Sequence, residues 1–239
     1  MKNHELKALF SVACVVLFLM GAGSSLATAI NVANYSFETP DLSPDGAQLG
    51  IPDWNINGPA AGIAHNGWNG GQIDLANSDG EQVGWMNSYV DATNELASSG
   101  LWQVLPETYT VGQSYELTVG VARAAWNPTQ DDDQLQIRLW YQTSTATPIA
   151  SVTVTAGDLN WSNGGDLIDY TATLPAVLAT DAWAGQSIGI WIVSTYKNPA
   201  GGDSDWVIDN VRLNAVPEPA TLTLLGIGGL LSLRKRRKA

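Results

Sequence analysis

Apolar and polar residues alternate through the middle of the chain with the period of two expected for β-strands that turn one face to a core. Tyr115, Leu117, Val119 and Val121 alternate with polar or small positions, and Leu135, Ile137 and Leu139 alternate with Gln136, Arg138 and Trp140. Val152 and Val154 repeat the pattern, and residues 81–87, 187–194 and 206–213 form further β-rich runs. Turn-forming clusters separate these runs: Asp45-Gly46, Asn57-Gly58-Pro59, Asn69-Gly70-Gly71, Asn163-Gly164-Gly165 and residues 199–202. No long amphipathic helix interrupts the series. The pattern predicts an all-β fold, an antiparallel β-sandwich, with a loop region over residues 41–71 and no internal repeat or interdomain linker.

The two ends carry different patterns. Lys2 and Lys7 precede an apolar run over residues 8–20, and Ala27-Thr28-Ala29 offers a small-x-small site, which together predict a signal peptide over 1–29. Cys14, the chain's one cysteine, lies inside that apolar run, so a mature chain starting at Ile30 has neither a disulfide nor a thiol nucleophile. At the other end Val216-Pro217-Glu218-Pro219 leads to an apolar segment over residues 221–233 and then to five consecutive basic residues, Arg234, Lys235, Arg236, Arg237 and Lys238. As a helix the segment would be roughly 20 Å long against a hydrocarbon core of about 30 Å. It makes a weak permanent anchor, with its basic end on the cytoplasmic side and the body of the protein outside. The chain thus divides into 1–29, a domain over 30–215 and a tail over 216–239.

The tail resembles the PEP-CTERM sorting signal of exported proteins in Gram-negative bacteria. That resemblance assigns Val216, Pro217, Glu218 and Pro219 to the sorting motif. It implies an exosortase as partner and makes this chain its substrate rather than its relative. It also implies a transient inner-membrane association through a short transmembrane helix, and a destination at the cell surface or in the extracellular matrix.

Charge sharpens the reading of the body. Residues 30–216 hold four basic residues against 21 carboxylates, a net charge of −17, which argues against a nucleic-acid partner because phosphate binding needs cations. All ten tryptophans lie in this region, with His65 as its one histidine. A His or Cys zinc cage is therefore excluded, and a Ser-His-Asp triad would depend on His65 in a Gly- and Asn-rich loop with no nucleophile elbow.

A second resemblance covers most of residues 30–213. The opening run 31–38 (NVANYSFE), Pro52-Asp53-Trp54, Gly112-Gln113-Ser114-Tyr115 and the final run 205–213 are similar, in that order, to galactose-binding-like jelly rolls, the fold of many carbohydrate-binding modules. It implies carbohydrate binding and a structural calcium joining the first and last strands, with Glu38 and Asp209 as ligands. The alternative for these two is that Asp209 caps or bends the final strand while Glu38 is solvated. The run Asp131-Asp132-Asp133 lacks EF-hand spacing and reads as a solvated loop.

Indole faces stack on sugar C–H faces, so tryptophans in loops or on outward strand faces are ligand candidates, although the same side chains also serve as core. Trp54, Trp68 and Trp126 lie in loops or at strand ends. Arg138 and Trp140 share the face of their strand opposite to Leu135, Ile137 and Leu139. These five are the predicted ligand contacts, and Trp85, Trp102, Trp191 and Trp206 are assigned to packing. The function expected is a noncatalytic, exported protein binding polysaccharide. A structural surface or biofilm protein without a small ligand, and a small glycoside hydrolase using two carboxylates, remain as alternatives.

Overall fold

The alternating segments pair as expected. In the computed structural model, which describes residues 27–141, 148–201 and 204–217, twelve strands form two antiparallel sheets. In chain order they are β1 (Thr28–Ile30), β2 (Ala47–Leu49), β3 (Asn55–Asn57), β4 (Ala61–His65), β5 (Gln82–Asn87) and β6 (Gly100–Thr108). Then come β7 (Gln113–Arg123), β8 (Gln134–Tyr141), β9 (Pro148–Thr155), β10 (Ile168–Leu174), β11 (Ser187–Tyr196) and β12 (Asp205–Pro217). One sheet has the order β10-β7-β12-β5-β4-β2, with β1 also paired to β12, and the other has the order β3-β6-β11-β8-β9.

The facing sides of the two sheets close a single core. Leu135, Ile137 and Leu139 of β8 are fully buried in it and meet Tyr115, Leu117 and Val119 of β7. In β12 the core-facing parity changes: Trp206 and Ile208 point inward, and then Val211, Leu213 and Ala215 do. Asn210 lies between the two sets at φ 54, and this left-handed residue shifts the pleat by one position. The first half of β12 pairs with β5 and the last residues pair with β1, so with β7 this one strand serves three neighbours. In β6 the register with β11 slips where Pro106 stands, a residue with no N–H to give the ladder.

Two expectations change. The run 31–38, which the jelly-roll resemblance makes the opening strand, is not a strand: β1 ends at Ile30, and the chain then turns, with Asn34 and Phe37 at positive φ, to drive Phe37 into the core. The expected loop region 41–71 contains β2, β3 and β4. β4 escapes a period-of-two reading because Ala61, Gly62, Ile63 and Ala64 are all buried, on both faces of the sheet. Of the signal peptide expected over 1–29, residues 1–26 lie outside the described residues, as do the segment 221–233 and the basic end, while Thr28 and Ala29 belong to β1. Among the described residues no helix is long and apolar enough to cross a membrane.

Candidate functional site

The outer face of the larger sheet carries a second apolar layer. Ala64, Val83, Ala122 and Val207 project from β4, β5, β7 and β12 and pack with Ile73, Leu75, Ala124 and Leu167 from the covering loops. Trp68, Trp85 and Trp126 lie against this layer, partly buried. Alternation along β12 puts Asp205, Val207 and Asp209 on this same face, and alternation along β5 does so for Val83, Trp85 and Asn87.

Register then assembles a recess. Asp205 pairs with Asn87, Val207 with Trp85, and Trp85 in turn with Gly62. The indole of Trp85 lies over Gly62, where a β-carbon would sit 2.9 Å from Trp85 Nε1 and 2.0 Å from the carbonyl oxygen of Gln48. The absent side chain lets the ring lie on the sheet. Gly62→Ala is expected to destabilise the fold by about 2 kcal/mol through overpacking and to lower ligand affinity by displacing Trp85, as read by thermal melting and titration.

Loops supply the walls. Trp126, just past β7, and Trp68, at the start of the helical turn Trp68–Gly71, meet edge to face with centroids 5.2 Å apart. The recess has a volume of about 360 Å³ and is lined by these three tryptophans with Asn87, Asn127, Asp205 and small residues of β2 and β4. Asp205 is 3% exposed. Its Oδ2 accepts hydrogen bonds from Trp126 Nε1 at 2.7 Å and Asn127 Nδ2 at 2.9 Å, and its Oδ1 accepts one from Asn87 Nδ2 at 3.5 Å. A carboxylate, two carboxamides and three indoles converge on one cavity of ligand size.

The predicted ligand contacts are split by the fold. Trp68 and Trp126 come together in the recess. Trp54 does not join them: it is 6% exposed, stacks on Phe37 and donates its N–H to the carbonyl of Asn34, so the β-sandwich uses it as core. Arg138 and Trp140 do point away from the core, but on the outer face of the other sheet, where they are covered. Arg138 pairs with Glu95 at 2.6 Å and stacks over Trp191, while Trp140 packs with Trp102 and Trp191, leaving little of either for a ligand. Trp85, assigned to packing from sequence, lines the recess. Asp205 was visible only as the first residue of the closing strand, and its partner Trp126 is 79 residues away. His65 ends β4 rather than lying in a loop, with Nδ1 2.5 Å from the carbonyl of Asn66. Asp133 is buried, not solvated, and its carboxylate accepts from the amides of Gln130 and Asn198.

Glu38 and Asp209 come to one turn. Glu38 Oε1 accepts the amide of Gln82 at 2.8 Å, and Asp209 Oδ2 accepts the amide of Asp79 at 2.7 Å. Burial pushes the Asp209 carboxyl up to about 8; the nearby Asp79 and Glu38 carboxylates add to this, and the amides of Asp79 and Asn210 oppose it. Among the described residues no basic side chain pairs with either. No group of three His, Cys, Asp or Glu among the described residues is arranged to hold a metal, so a cation here would draw further oxygens from the backbone or water. Of the sorting motif, Val216 and Pro217 end β12, while Glu218 and Pro219 lie outside the described residues.

With this geometry in place, two family models account for nearly the whole chain. The model described as HpiC1 cyclase matches residues 28–214. The chain belongs to the HpiC1-like family. The PEP-CTERM protein-sorting motif matches residues 215–238, which makes this an exported protein of the Gram-negative type and marks it for exosortase processing. Among solved structures, an apo cyclase from Fischerella sp. is similar at 22% identity and TM-score 0.63, covering 82% of this chain and 98% of that one. A cyclase from Fischerella sp. TAU in complex with 4-(1H-indol-3-yl)butan-2-one is similar at 20% identity and TM-score 0.61, covering 80% and 98%. A structure described as "CBM4 structure and function" is similar at 13% identity and TM-score 0.42, covering 77% and 99%. At these identities the two cyclases share the jelly-roll sandwich of this family member, and the likeness extends to fold alone. No curated protein matches the chain.

Proposed function

We propose that the domain is an exported, noncatalytic binding module that holds a neutral saccharide in the recess between Trp68, Trp85 and Trp126, at the cell surface or in the extracellular matrix. The observation that carries this is the convergence of three indoles with Asp205, Asn87 and Asn127. Indole faces offer an apolar platform for a pyranose ring, and the carboxylate and carboxamides offer hydrogen bonds to its hydroxyls. The net charge of −17 over residues 30–216 disfavours an anionic polymer. A glycan array probed with the purified protein tests the reading: binding lost in Trp68→Ala and Trp126→Ala supports it, and no binding by the unmodified protein removes it.

Family membership favours a second reading at the same recess, in which Asp205, the one acid lining it, acts on a small aromatic substrate. The indole ligand of the Fischerella sp. TAU cyclase is the natural probe. Saturable binding of 4-(1H-indol-3-yl)butan-2-one, lost in Trp126→Ala, with no glycan binding, would move the function to this class.

A structural calcium held by Glu38 and Asp209 accompanies either reading. The support is a buried carboxylate beside two others with no basic partner among the described residues. When bound, calcium would neutralise these charges and tie the opening run 31–38 to β12.

A further inference from the structure

We infer that the ligand is an extended saccharide chain which leaves the recess across a second subsite built on Trp161. This inference rests on the saccharide reading above and assigns the class of saccharide. All ten tryptophans are described, and Trp161 alone is among the exposed large apolar side chains, at 41%. It borders an open depression of about 460 Å³ that, apart from Pro128, is otherwise lined by polar groups, including Gln130, Asp132 and Asn198.

The two sites adjoin along the chain. Asn127 lines the recess and Pro128 lines the depression, and successive Cα atoms are about 3.8 Å apart. One side chain also fastens the segments that carry the three relevant indoles. Ser162 Oγ accepts the amide of Ala125 at 3.0 Å and donates to the carbonyl of Gln72 at 2.6 Å. Ser162 follows Trp161, Ala125 precedes Trp126, and Gln72 closes the turn begun by Trp68, so the spacing between subsites is fixed before any ligand arrives.

Trp161 is itself held in place. The guanidinium of Arg123 lies 4.0 Å from the centre of its ring. Arg123 is 7% exposed and is spent on the protein: Nε donates to Thr129 Oγ1 at 3.2 Å, Nη1 to Asp131 at 2.8 Å, and Nη2 to the carbonyl of Thr129. The cation therefore orients the indole without serving as an anion receptor, and its charge is matched by Asp131. Beside the ring, Asn198 Nδ2 donates to both oxygens of Asp132 at 2.9 and 3.0 Å, which fixes a carboxylate and a carboxamide next to a solvent-facing indole. An exposed flat ring with neighbouring hydroxyl partners and, among the described lining residues, no cation beyond the paired Arg123 suits a neutral sugar unit. Prior fixing of these groups limits the ordering lost on binding.

The test is affinity against chain length, measured by calorimetric titration of the purified full chain with glucose to cellohexaose and with xylose to xylohexaose. Affinity should rise between the shortest and longest members. Trp161→Ala should weaken the longest by about tenfold, the scale of one lost aromatic platform, and leave the shortest binder unchanged. Trp161→Phe should recover most of the loss, and an unchanged melting curve checks folding. Equal affinity of Trp161→Ala for the longest members, or an equal loss across all lengths, would overturn the second subsite while a Trp126→Ala loss kept the recess. No binding of either series by the unmodified chain would overturn both.

Discussion

Trp126→Ala should weaken saccharide binding by about a hundredfold, or about 2.7 kcal/mol, making it the most damaging single change in the recess. Trp126 serves the site in two ways. Its ring forms a wall, braced edge to face by Trp68, and its N–H is a 2.7 Å donor to Asp205. Removing the ring deletes apolar contact with the ligand and leaves a 3% exposed carboxylate with one donor fewer. Trp126→Phe separates the two, since it keeps a wall and loses only the N–H, and about a tenfold loss is expected. Asp205→Asn should approach the alanine result, because a carboxamide turned toward Trp126 and Asn127 sets donor against donor on one of its two sides. Calorimetric titration measures all three, and thermal melting separates binding from folding. Wild-type affinity in Trp126→Ala would place the site elsewhere.

How far the sequence reaches depends on whether a signal is local. Period-two alternation placed β7 and β8 because each has one face in the core, and it assigned Leu135, Ile137 and Leu139 to that face correctly, whereas β11, buried on both faces, and β12, whose parity shifts at Asn210, were legible as β-rich runs. Alternation missed β4, whose small residues are covered on both sides, and the jelly-roll resemblance misread the opening run as a strand where Asn34 and Phe37 adopt left-handed turns. Outwardness was legible for Arg138 and Trp140, but exposure was not: Glu95, Trp102 and Trp191 cover that face, and only tertiary structure brings them there. The same reason hid the recess. Trp68 and Trp126 stood out as loop tryptophans, whereas Trp85 looked like an ordinary strand residue until Gly62 was seen opposite it. Asp205 gave one local hint, an acid opening an apolar strand. Its donors come from β5 and from the loop after β7, and no spacing rule joins them.

Removing calcium with EDTA should lower the melting temperature by about 5–10 °C, and added calcium should restore it, as for a ligand near a hundred times its Kd on a domain of this size. The physical driver is Asp209, fully buried on the outer face of β12 with Glu38 and Asp79 near it. Without a cation, burial pushes its carboxyl up to about 8 in the folded protein, against 3.8 for an unperturbed aspartate in the unfolded chain. A folded value above the unfolded one means that folding favours the protonated form. That contribution is complete below about pH 4 and is lost as pH rises toward 8. In EDTA, stability should therefore fall across that window, and Asp209→Asn should flatten the slope and melt higher than wild type near pH 8. In calcium the order should reverse, because the variant lacks the ligand and gains nothing from the ion. A melting temperature indifferent to EDTA and calcium, with the pH slope intact, would leave Asp209 as a buried protonated acid and remove both it and Glu38 from any metal site.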